Sequence, residues 1–192
     1  MIAVITSLSA KVLDPSAPMG SRKNPIPMGE LVSFHASKEY VDESTAILSM
    51  GVIGVVRGDK ADSFLNDSDS LVRTRLHDGY EFVLPIILVS NLKDLTGNDD
   101  YFYVNQGKFE FADSGYSHKK FQATWYTLDE PFVLDSKLYE GIGTSGMIEC
   151  QAPIGDECYL YYEGIWFELG SETVIPENDD SMMLSRWDQF KE

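Results

Sequence analysis

Short runs of alternating apolar and polar residues, each closed by Gly, Asn, Asp or Pro, recur roughly every 8–12 residues along this chain. Alternation is what a strand with one buried face requires, because successive side chains leave it on opposite sides. Leu31, Ser33 and His35 alternate with Val32 and Phe34. Gly51–Asp59 reads as a strong strand bounded by Gly58 and Asp59, Tyr80–Val89 as a long apolar strand, and Phe121–Leu128, Met147–Gln151 and Cys158–Tyr162 as further strands. Glu163-Gly164 forms a turn into Ile165–Leu169, so 158–169 is a predicted hairpin. Tyr101–Val104 and Phe109–Phe111 are a second predicted hairpin. The pattern predicts a mainly β protein, an antiparallel β-sandwich or barrel with short helices.

Helical signals are few. Asp59–Asn66 reads as a turn or two of helix. Near the C-terminus, Met183, Trp187 and Phe190 have helical spacing after Asp179, Asp180 and Ser181, which predicts a short helix over 181–189. The glycines within 51–58 predict a bulge or tight bend. Pro85 predicts that its strand lies at an edge there or carries a bulge. The chain reads as a single β-rich domain over 1–192, with a division into two β subdomains near 94–100 as the alternative.

Residues 14–28 hold Pro15, Pro18, Pro25 and Pro27. Proline fixes φ and lacks an amide donor, so the stretch is expected to be an extended arm or loop adding little to the core of its own subunit. Arg22 and Lys23 within it add positive charge to an acidic chain. Arg22, Lys23, Pro25 and Pro27 are therefore the candidate partner-binding residues.

The chain has 31 acidic and 15 basic residues, a net charge of -16. Such a field opposes direct binding to nucleic acid or anionic lipid; it could attract a basic partner, but solubility is the reading preferred for it. No apolar run approaches the ~20 residues a membrane helix needs. The first ten residues lack the basic start of a signal peptide, and two cysteines do not make a disulfide scaffold, so a cytoplasmic location is expected, or a particle assembled there. Cys150 and Cys158 flank a turn at 152–156 that could set them face to face across a hairpin. A reduced, half-buried pair is expected.

The motifs resolve into ordinary structure. Gly141-Ile-Gly-Thr-Ser-Gly matches a dinucleotide fingerprint but precedes a strand rather than a helix, so it reads as a flexible loop. Asn66-Asp-Ser-Asp-Ser opens like a calcium loop and fails at Leu71. His35, His77 and His118 fall on separate predicted elements, with His118 in a solvated loop beside Lys119 and Lys120. No cofactor, metal site or catalytic set is expected. The leading reading is a non-enzymatic structural or interaction subunit of a larger assembly, a virus or phage particle component being one form. Its partner would be another protein or copies of itself. One alternative is an acidic inhibitor that occupies a nucleic-acid-binding protein by charge mimicry. Another is an enzyme whose site assembles from distant residues.

Overall fold

The computed structural model describes residues 11–12, 19–37, 45–67, 75–97, 101–104, 108–114, 118–119, 125–126 and 137–175. The predicted C-terminal helix, most of Phe121–Leu128 and Pro15 and Pro18 lie outside them. The described residues are mostly strands in antiparallel sheets, with one helix.

The first sheet contains β1 (Lys11–Val12), β2 (Val32–Ala36), β3 (Ala46–Arg57), β4 (Tyr80–Asp94), β8 (Trp125–Tyr126), β10 (Gly143–Ile148) and β11 (Cys150–Pro153). Its order is β1-β2-β3-β4-β10-β8, with β11 also on β4. Only the β1–β2 pair is parallel among its pairings. The second sheet runs β13 (Ile165–Gly170), β12 (Cys158–Tyr162), β6 (Glu110–Asp113), β7 (His118–Lys119). β5 (Phe102–Tyr103) pairs with β9 (Lys137–Leu138) as a small separate ribbon. α1 (Gly58–Asp67) follows β3 directly.

β4 shows why three layers form. Val83, Ile87 and Val89 join the core between the sheets, together with Phe111, Leu160, Tyr162 and Phe167 from the second sheet. Phe82, Leu84 and Ile86 point the other way, against Ala61 and Leu65 of α1. A strand buried on both faces reads as a continuous apolar run, which is what 82–89 is. The sandwich is therefore the architecture formed, with the helix as an outer layer on the first sheet.

The predicted bulge in β3 is present as a register shift between Val52 and Gly54. Ala46, Leu48, Met50 and Val52 face the sandwich core, and after the extra residue so does Val55. The bulge thus reverses the parity of the strand. Arg57 is carried to the sandwich side and Val56 to the helix side. Gly51 answers a different demand: a Cβ there would lie 2.3 Å from the backbone oxygen of Glu30.

Pro85 lies in a central strand rather than at an edge. Its partner Val55 turns both backbone groups away from β4, exchanging hydrogen bonds of 2.8 and 2.9 Å with Val174. Pro85 then presents its ring nitrogen to the opposite flank. On that flank β10 ends at Ile148 and β11 begins at Cys150, so the regular ladder is interrupted beside Pro85.

Two hairpin expectations separate. The Glu163-Gly164 turn joins β12 to β13 with φ of 49° and 88°, the geometry of a type I′ turn. The hairpin expected between 101–104 and 109–111 does not form. β5 pairs with β9, and β6 pairs with β12 and β7. Alternation identified both segments as strands, but alternation carries no information about which distant strand supplies the partner.

Candidate functional site

The parity reversal in β3 places a charged side chain in the sandwich wall. Arg57 is 5% exposed. Its guanidinium donates to Glu81 Oε1 (2.9 Å from Nη2), the Asp156 carbonyl (2.8 Å), the Gly170 carbonyl (2.5 Å) and Cys158 Sγ (3.1 Å). The Arg57 amide donates to Thr173 Oγ1, and Glu81 Oε1 also accepts from the Gly155 amide. These bonds tie β3, β4, the 153–157 connection and the end of β13 together. Every acceptor belongs to the fold, so the cluster is a structural clasp.

Cys150 and Cys158 are free and fully buried, not half-buried. They do not face each other across a hairpin. The turn after β11 crosses between the sheets, since β11 pairs with β4 while β12 pairs with β6 and β13. Burial pushes the Cys150 thiol well above its usual value, with Cys158 and Glu149 adding to it. Burial also raises Cys158 to about 11, against the opposing pull of Arg57. Neither is an activated nucleophile.

The three histidines are dispersed. His35 stands two strands from Lys93, at one end of β4, through Ile47. His77 precedes Tyr80 at the other end, ~40 Å away at the rise of a strand. His118 is in β7 of the second sheet, not in a loop. The glycine motif is divided, with Gly141 and Ile142 in a turn and the rest in a strand. Gly143–Gly146 run within β10, paired with Ser90–Ile87 of β4. Asn66 is helical and bonds Asp62 one turn earlier, which removes it from any calcium loop.

Within the proline segment the described residues, 19–28, add to the core, contrary to the expectation of an arm that contributes little to it. Ile26 is fully buried in the sandwich core, and Met19 and Met28 pack against it. The Ile26 amide donates to the Trp166 carbonyl (2.8 Å) and its carbonyl accepts from Glu168 (2.9 Å). Residues 25–27 thus form a one-sided edge alongside β13. Pro25 and Pro27 flank the single residue whose donor is used, and their absent donors fall on the outer side, where pairing with another chain is thereby blocked. Arg22 and Lys23 sit exposed on the 20–24 turn, with the Arg22 guanidinium 5.7 Å from the Trp166 ring centre. Pro27 is exposed and Pro25 half-buried.

At the Asp94 end of β4 lies a different arrangement, one that sequence reading missed. Asn91 is 1% exposed and holds the 138–142 turn in three places. Its amide donates to the Ile142 carbonyl (2.9 Å), its side-chain nitrogen to the Leu138 carbonyl (2.9 Å), and its carbonyl accepts from Gly141 (2.7 Å). Asp94 accepts a further constraint from this turn, its amide donating to Glu140 Oε2 (2.9 Å). The turn so pinned exposes Tyr139 (50%) and Ile142 (51%). Tyr101 meets Tyr139 edge-on at 6.0 Å, and Lys137 Nζ lies 4.3 Å from the Tyr101 ring centre. Leu92, Leu95 and Tyr103 are also exposed on the segments bonded to this turn. Five of the eight large apolar side chains exposed among the described residues therefore gather at this end. A single exposed leucine needs no explanation, but a braced turn that exposes two large apolar side chains is a candidate interaction surface. Asn91 follows the predicted strand 80–89, and nothing in the sequence singles it out.

No family model matches the chain. No curated protein matches it either. Among solved structures, it is similar to an uncharacterized β-sandwich protein from Clostridium difficile 630. The two are 12% identical with a TM-score of 0.41, over 81% of this chain and all of the other.

Proposed function

We propose that this chain is a non-enzymatic interaction subunit of a larger protein assembly, a particle component of the virus or phage type being one form of it. The observation that carries the reading is the 138–142 turn. A buried asparagine braces it from three sides while it presents Tyr139 and Ile142 to solvent. Bracing an exposed apolar turn lowers the ordering cost of association, which is what a recognition surface needs. The exposed Arg22, Lys23 and Pro27, with half-buried Pro25, form a secondary contact in the same proposal. The Arg57–Glu81 pair supports it too, since both are consumed by structural bonds. The test is sedimentation of the protein in a gentle extract of the cells that make it. Migration well above the monomer, with a fixed set of proteins alongside, is expected. Migration as a monomer would remove the proposal.

A further inference from the structure

We infer that the Tyr139–Ile142 surface docks a basic protein segment, in which Arg or Lys side chains lie on the tyrosine rings and aliphatic side chains pack beside Ile142. This rests on the interaction-subunit reading and names the chemistry of the partner. Three observations support it. Tyr139 and Tyr103 are exposed, 50% and 38%, and Leu92 and Ile142 add aliphatic surface. A tyrosine face attracts cations, and this end already demonstrates it: Lys137 Nζ stands 4.3 Å from the centre of the Tyr101 ring. The second observation is charge. The chain carries -16, so its long-range field draws in a basic segment and repels a second copy of the same sign. The third is rigidity. The Asn91 bonds hold the turn in place before any partner arrives, so the rings act as a fixed platform.

The probe is a short synthetic peptide alternating Arg with Leu, set against one with Glu in place of Arg. Backbone amide shifts of the full chain report where each binds. The Arg peptide is expected to move the amides of Leu92–Leu95, Tyr103 and Tyr139–Ile142. Its affinity should fall about tenfold or more in a Tyr139→Ser/Ile142→Ser variant. Both side chains are at least half exposed, so the melting temperature of that variant should stay close to the parent. Equal binding of the Glu peptide, shifts scattered over the acidic surface, no binding of the Arg peptide, or unchanged affinity in the variant would each overturn the inference. Self-association that the variant abolishes would also overturn it, by making a second copy the occupant. The extract experiment separates the two levels. A persistent complex with a failed peptide test removes only the basic partner, and a monomer in extract removes the function itself.

Discussion

A guanidinium that is 5% exposed is accommodated in the sandwich wall because four acceptors from four segments surround it. Removing one member of such a buried pair strands the other, and the loss is about 3–5 kcal/mol. Arg57→Ala should therefore lower stability by that amount in urea unfolding. Adding Glu81→Ala should restore part of it, and a double variant as unstable as the sum of the singles would show that the two residues act independently. The buried thiols make a second residue-scale prediction. The folded value for Cys158 is raised to about 11 from 9.0, so the unfolded chain gives up its proton first as pH rises. Stability linked to Cys158 is intact below about pH 9 and falls as pH rises towards 11, by about 2–3 kcal/mol in all. A thiol reagent at pH 8 should modify Cys150 and Cys158 only after unfolding. Rapid labelling of the folded protein would contradict their burial.

Elements respond to the same logic over longer stretches. Ile26 belongs to the core between the sheets, so Ile26→Ala should lower stability by about 2–5 kcal/mol, and exchanging residues 16–27 for a Gly/Ser linker should damage folding itself. A linker variant that melts like the parent would return the segment to the status of a free arm. This is where legibility in the sequence divides. Period-two alternation exposed β2, apolar and aromatic runs exposed β3, β4, β12 and β13, and the Glu163-Gly164 turn fixed one hairpin, because these signals are local. The proline count of 14–28 was equally visible but pointed to the wrong consequence. Several missing donors disfavour a central strand, yet a Pro-Ile-Pro run still pairs on one side. The pairing of β5 with β9, and of β6 with β12, joins residues far apart in the chain that no local pattern links. The candidate surface was hidden for a related reason. Asn91 looks like any polar residue within a strand until the 138–142 turn folds against it.

Across the whole molecule, the charge of -16 sets the kind of partner the surface admits. In a mobility-shift assay at physiological salt, DNA and RNA should run unchanged with the protein in excess. A salt-sensitive shift would reveal a basic face that this distribution of charge does not supply. The central claim is that the braced turn holds this chain in an assembly. It is tested most directly by sedimenting the Tyr139→Ser/Ile142→Ser variant beside the parent in extract from the cells that make the protein. The account predicts that the parent migrates in a complex and that the variant, melting at the parent's temperature, shifts to the monomer. A variant that stays in the complex would contradict it.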